Sequence, residues 1–128
     1  MKFLSFELAK ELQSAGFLLD ISQFPVYEKL FLHDIVSERP IMVDLNSAIE
    51  FLAAIEFRYV WLPSFEDIMS HEYLRSYAYE SLPEPIVYNR ARPYSLEGGF
   101  SGLSAVEAAA RAWLFVHSKR QGDGSAKL

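Results

Sequence analysis

The chain has 128 residues, 51% of them hydrophobic and 23% charged, a composition that suits one ordinary globular domain of about 100–200 residues. No run approaches the ~18 apolar residues of a membrane span, and the absence of cysteine excludes disulfides, a thiol nucleophile and thiolate-bound zinc. Seventeen acids against twelve bases leave a net charge of −5, so the chain lacks the overall basic balance of a duplex-binding domain.

The acidic excess is uneven. Residues 1–64 hold nine acids and five bases, net −4, whereas residues 65–128 hold eight and seven, net −1. Any anion-tolerant surface therefore belongs to the second half. The N-terminal residues carry Lys2 and Glu7 where a signal peptide needs an apolar stretch, which points to a cytoplasmic protein. No internal repeat or linker divides the sequence. The expectation is a single domain over 1–120, followed by a flexible, Gly-containing tail over 121–128.

A first helix is predicted over 3–15. Leu4, Leu8, Leu12 and Ala15 follow the spacing of one apolar face, and Gly16 suits the left-handed residue that ends a helix. Residues 20–46 carry little pattern. The stretch from Val26 to Leu32 has β-favouring residues without alternation, and Ile41, Met42 and Val43 form a short apolar run with strand character after Pro40. Ser47 and Glu50 form a capping box that opens a helix over 48–57. Tyr59 to Leu62 either continues that helix or runs extended, and Pro63 pushes the residue before it out of the α region. Ser64 and Asp67 cap a short helix over 65–70.

The next segment reads as an antiparallel hairpin over 73–81 and 85–92, joined by Leu82-Pro83-Glu84-Pro85. Tyr73, Arg75, Tyr77 and Tyr79 alternate along one strand; Tyr88, Arg90 and Arg92 alternate along the other, with Tyr94 beyond. Residues 97–102 read as a flexible Gly-rich loop. Ser104 and Glu107 form another capping box and open the last helix, predicted over 104–118, with a stripe of Val106, Ala109, Ala110, Trp113, Leu114 and His117. Lys119 and Arg120 suit the negative end of its dipole. The fold class implied is α+β: a small antiparallel sheet packed against four helices.

Two segments of the second half carry a resemblance. Trp61-Leu62-Pro63-Ser64-Phe65-Glu66-Asp67-Ile68 and Ser104-Ala105-Val106-Glu107-Ala108 leading to Trp113-Leu114 match W-[IL]-P-[ST]-x-x-[ED]-[LI] and [ST]-x-x-E-A…W-L, with an aromatic hairpin between them. Over residues 59–117 the chain resembles a loose group of small prophage-type bacterial proteins. The group has no assigned activity, so the resemblance implies a mobile-element origin and an architecture, and no catalytic residues.

The candidate chemistries are sparse. His71-Glu72 lacks the second histidine four residues on that a zincin helix needs, because position 75 is Arg75; a polar helix terminus is the competing reading. His33, Asp34 and Glu38 have metal-binding or acid–base residue types but no partner histidine near in sequence. His117 lies on an apolar stripe, as a packed edge residue whose ring caps a carbonyl. Gly99-Phe100-Ser101-Gly102 precedes a helix N-terminus, an intrinsic anion site, but lacks a phosphate-loop lysine and glycine spacing. No catalytic set, metal site or cofactor follows.

The hairpin remains. Tyr73, Tyr77, Tyr79 and Tyr88 with Arg75, Arg90 and Arg92 form one surface if the two strands pair with these faces aligned. Leu74, Ala78, Val87 and Ala91 then take the helices. The competing assignment buries the tyrosines. Tyr and Arg are enriched at interaction hot spots, so the sequence favours a non-enzymatic accessory or interaction protein with a protein partner, another protein or a second copy. A single-stranded nucleic-acid or nucleotide-binding module that stacks bases on the tyrosines is the alternative. Duplex nucleic acid and membrane are not expected partners.

Overall fold

In the computed structural model, which describes residues 3–18, 29–44, 58–81, 84–91 and 99–126, helix α1 spans Phe6–Ser14. It starts later than its apolar spacing suggests because Ser5 is the N-cap: extended at ψ 151°, its hydroxyl accepts the Leu8 N–H at 3.3 Å. The other end is a Schellman turn. Gly16 sits at φ +98°, the Phe17 N–H reaches the Leu12 carbonyl at 2.8 Å, and the Gly16 N–H reaches Gln13 at 3.1 Å. Leu4, Ala9 and Leu12 form the buried face. The expected helix over 48–57 with its Ser47/Glu50 box lies outside the described residues, as do Arg92 and Tyr94.

The described α+β structure falls into two compact units, Phe3–Pro63 and Ser64–Leu128. Each has its own three-stranded antiparallel sheet, so there are two sheets where the sequence suggested one hairpin. In the first unit, β1 (Lys29–Asp34) lies between β2 (Arg39–Asp44) and β3 (Tyr59–Trp61). Leu30 and Leu32 are buried on one face of β1. On the other, Phe31 meets Phe3 at 5.0 Å and His33 stacks on Phe6 at 4.4 Å. Packed side chains on both faces leave no solvated polar face, so the strand carries no period-2 signal. Tyr59 to Trp61 does not prolong a helix: it pairs with β1, and the Leu62 N–H donates to the Phe31 carbonyl at 2.8 Å.

The β1–β2 turn is held from below by a carboxylate. Asp34, 6% exposed, accepts the Val36 N–H at 3.0 Å and a two-pronged contact from Arg58 at 3.3 and 3.4 Å. Glu38 adopts the left-handed conformation, φ 58°, and donates its N–H to the Asp34 carbonyl at 2.8 Å. The guanidinium holds the Asp34 carboxyl below the ordinary carboxylate range, against the opposing effect of burial. The trio His33, Asp34 and Glu38 is thus divided among a ring stack, a turn anchor and a turn residue.

The second unit opens with α2 (Phe65–Met69), whose capping box is complete: Ser64 Oγ accepts the Asp67 N–H at 3.1 Å, and Asp67 accepts the Ser64 N–H at 2.9 Å. A 3-10 turn, Glu72–Leu74, follows, then β4 (Tyr77–Glu80), β5 (Ile86–Asn89) and β6 (Gly99–Ser101), paired in that order. The expected first strand is therefore four residues shorter at its start. The segment read as a flexible loop contains a strand instead: Phe100 pairs with Val87 and packs on Phe115 at 4.9 Å, which anchors β6.

Helix α3 (Ala105–Ala126) covers this sheet. Ala108, Ala109, Ala110 and Ala112 are fully buried, and these small side chains allow close backbone approach. The helix passes the expected end near 118, because adding a residue to an existing helix is cheaper than starting one. Ile68, Leu74, Tyr77, Val87, Val106 and Trp113 are the buried side chains of the unit's core.

Candidate partner-binding site

The expected Tyr/Arg face does not exist as a strand face. His71 is the N-cap of the 3-10 turn, and its Nδ1 accepts the Tyr73 N–H at 3.2 Å. That turn withdraws Tyr73 and Arg75 from the strand, so the alternation 73, 75, 77, 79 is not an extended one. The register then places Tyr77 opposite Asn89, Ala78 opposite Tyr88 and Tyr79 opposite Val87. Tyr77 and Tyr79 therefore share a face with Val87, and Tyr88 lies on the opposite face with Ala78 and Glu80. Burial follows the register: Tyr77 is 7% and Val87 0% exposed, on the face that Phe100 shares and packs against α3. Tyr79 is 37% exposed and leans on Phe65 at 4.9 Å. The Tyr88 hydroxyl donates to Glu80 at 3.2 Å.

The same backbone brings two of the arginines together. Arg75 is the C-cap of the 3-10 turn, and the Arg90 N–H donates to the carbonyl of Ser76 at 3.0 Å. Both arginines are exposed, and the Ser76 backbone joins them at the end of the hairpin away from its turn. Glu80 and Glu84 lie at the turn end, so the hairpin is electrically polar along its length.

Tyr73 joins these arginines to α3. Trp113, His117 and Arg120, at i, i+4 and i+7, form one stripe of that helix. Tyr73 stacks on Trp113 at 5.3 Å, and the Arg120 guanidinium lies 4.5 Å above the Tyr73 ring. His117 stacks on Trp113 at 5.0 Å and 8°, and His71 meets the Trp113 edge at 5.5 Å. The result is a half-buried tyrosine held between a 3-10 turn and a helix, with Arg120 over its ring, Arg75 at the end of the turn and Arg90 bonded through its N–H to the next residue, Ser76. Arg120 suits the negative end of the helix dipole by its position in the sequence, and in the fold its guanidinium covers the Tyr73 ring. The signal that links it to Tyr73 is its i+7 spacing from Trp113.

The electrostatics of the cluster follow from its packing. Burial, with Arg120 adding a smaller push, holds the His71 imidazole below its ordinary value, against the opposing pull of Glu72. A neutral His71 can offer the Nδ1 lone pair that caps Tyr73. His71-Glu72 is thus a turn terminus. His117 does not cap a carbonyl: its Nδ1 is buried without a hydrogen-bond partner among the described residues. The α3 N-terminus, the other anion candidate, is closed from within. Ser104 Oγ accepts the Glu107 N–H at 3.3 Å, and Glu107 Oε2 accepts the Leu103 N–H at 2.9 Å.

Among the described residues no three His, Asp or Glu side chains gather as a metal site, and no helix is long and apolar enough to cross a membrane. No protein-family model, no curated protein and no solved structure matches the chain.

Proposed function

We propose that the chain is a non-enzymatic accessory protein, of the mobile-element kind its second half resembles, and that it acts by binding another protein through the hairpin end that carries Tyr73, Arg75 and Arg90, with Arg120 beside them. The observation that carries this reading is the grouping itself. A half-buried Tyr73 with the Arg120 guanidinium 4.5 Å over its ring, exposed Arg75 two residues on, and exposed Arg90, whose N–H bonds the Ser76 carbonyl, come from three separate chain segments of the second unit. Tyr and Arg of this kind recur at interaction hot spots, because each offers a large contact area with a polar tip.

The single-stranded nucleic-acid reading draws on the same residues, and the register weakens it. Base-stacking modules set successive bases on successive aromatic rings. Here Tyr77 is buried and Tyr79 lies toward the hairpin turn, which leaves Tyr73 as the ring beside the arginines.

The test is site-specific photocrosslinking of the full chain in its native host. Ser76, exposed between the arginines, is replaced by p-benzoylphenylalanine, and Leu103, 85% exposed, is replaced in a control. Protein adducts from the position of Ser76 alone are the expected result. No adduct there, or equal adducts from both positions, ends the reading, and nucleic-acid adducts transfer it to the alternative.

A further inference from the structure

We infer that the partner bound at this surface presents an acidic segment, whose carboxylates are held by Arg75, Arg90 and Arg120 around Tyr73. The inference rests on the partner-binding reading above and adds the chemistry of what binds.

The argument is one of charge left over. None of the three arginines has a carboxylate partner among the described residues, whose ion pairs are Lys29–Asp44, Arg58–Asp34 and Arg111–Glu107. Among the described residues, Asp67, Glu107, Glu80 and Glu84 are engaged or lie elsewhere in the second unit. Asp67 is bound in its capping box, Glu107 holds both Leu103 and Arg111, and Glu80 and Glu84 lie at the far end of the hairpin. Glu72 lies on the 3-10 turn beside Tyr73 and forms no ion pair among the described residues. Among the described residues, three arginines without a carboxylate partner therefore stand at this end with Glu72, on a chain whose net charge is −5. A guanidinium fork matches a carboxylate with two parallel hydrogen bonds, and like-charge repulsion rejects basic partners. Tyr73 is held by Trp113 and His71 and carries the Arg120 guanidinium over its ring, so little order is lost when that guanidinium meets a carboxylate.

The test uses the full chain and a fluorescein-labelled glutamate-rich peptide, followed by fluorescence anisotropy. Its glutamine counterpart and an oligothymidylate of equal length are the comparators. Binding of the acidic peptide is expected to exceed that of the glutamine peptide by at least about tenfold, and to weaken steeply with salt. Arg75→Glu and Arg90→Glu are each expected to cost about tenfold, roughly 1.4 kcal/mol, while Arg111→Glu, at a residue already paired with Glu107, leaves binding unchanged. Arg120→Glu is added with the urea midpoint as a folding control; the Arg75 and Arg90 variants, at exposed turn positions, do not depend on it. Equal binding of the acidic and glutamine peptides overturns the inference, and so does tighter binding of the oligothymidylate. If the position of Ser76 still crosslinks a protein whose capture is indifferent to Arg75→Glu and Arg90→Glu, partner binding stands and the acidic class fails. If nothing crosslinks there, both fail.

Discussion

Trp113→Ala is the sharpest perturbation of the second unit. Trp113 is 2% exposed and is touched by three rings: His71 at 5.5 Å, Tyr73 at 5.3 Å and His117 at 5.0 Å. Truncating a buried Trp costs about 3–5 kcal/mol. Each lost aromatic pair adds about 0.5–1.5 kcal/mol beyond the area term, which places this site at the upper end. Against a total stability of about 5–15 kcal/mol, the loss is severe. With a urea m-value of about 2 kcal/mol/M, the midpoint falls by about 2 M. The assay is urea unfolding read by circular dichroism, with amide exchange mapped separately over residues 29–44 and 105–121. Protection is expected to fall across 105–121, and Trp113→Phe, which keeps a ring in the stack, loses less than Trp113→Ala. An unchanged midpoint and unchanged exchange over 105–121 refute the reasoning, because the stripe would then not face the core. Acidic-peptide binding supplies a second readout. Tyr73 rests on Trp113, so affinity falls in Trp113→Ala even where the chain remains folded.

Four further outcomes follow from local geometry. A Cβ on Gly102 meets Glu107 Cβ at 2.8 Å and the Ala108 N at 3.0 Å, so Gly102→Ala is expected to destabilise by about 1–3 kcal/mol in thermal unfolding, and a neutral result refutes the tight approach. Ser104→Ala removes the acceptor of the Glu107 N–H and is expected to cost about 0.5–2 kcal/mol, with exchange rising in the first turn of α3. Arg58 lowers the Asp34 pKa, so this carboxylate stabilises the fold above the ordinary carboxylate range and the contribution is lost as pH falls through its lowered value; Asp34→Asn should flatten that acid limb, and an unaltered limb refutes the assignment. His71 is also held low, so its contribution is complete above the ordinary histidine value of about 6.5 and is lost as pH falls toward the folded value. His71→Asn keeps an acceptor for the Tyr73 N–H and should remove that slope, whereas an identical slope shows that another group titrates.

Helix ends were the most legible part of the sequence, because a cap is a short-range event. Gly16, Ser64 with Asp67, and Ser104 each sit where their side chain or conformation closes a helix end. The Ser104 box differs in one bond: Glu107 reaches back to the Leu103 N–H. The first sheet was poorly legible for a physical reason. β1 alternates Leu30 and Leu32 with Phe31 and His33, all four packed, so no polar face marks the strand. β6 was hidden because three residues bracketed by glycine carry no periodicity. Its strand character comes from Phe100 crossing to Val87, a contact between distant positions.

The candidate site shows the limit most clearly. Alternation assigns faces only when the backbone is extended throughout and the register is known. Here residues 72–74 wind into a 3-10 turn under His71, and the pairing of Tyr77 with Asn89 sets the faces opposite to the aligned arrangement. Because the side-chain period is two, a shift of one residue exchanges every inward and outward position. Burial decides between the two registers. The observed one hides Val87 completely and Tyr77 almost so, while the aligned one would place Tyr77 and Tyr79 with Tyr88 on the outer face. The register that disperses the tyrosines also sets Arg90 against Ser76, the residue after Arg75. Arg120 arrives independently, two turns along α3 from Trp113, and meets Tyr73 from the helix side. The proposed arginine surface therefore depends on how the core pairs its strands. A substitution that altered this register would be expected to abolish acidic-peptide binding without touching an arginine. Val87→Lys, which buries a charge on the packed face, and Val87→Ile, which keeps that face apolar, separate the two effects. The first should lose both stability and peptide affinity. The second should retain both, and full peptide affinity in a folded Val87→Lys variant would show that the arginines are not positioned through the sheet.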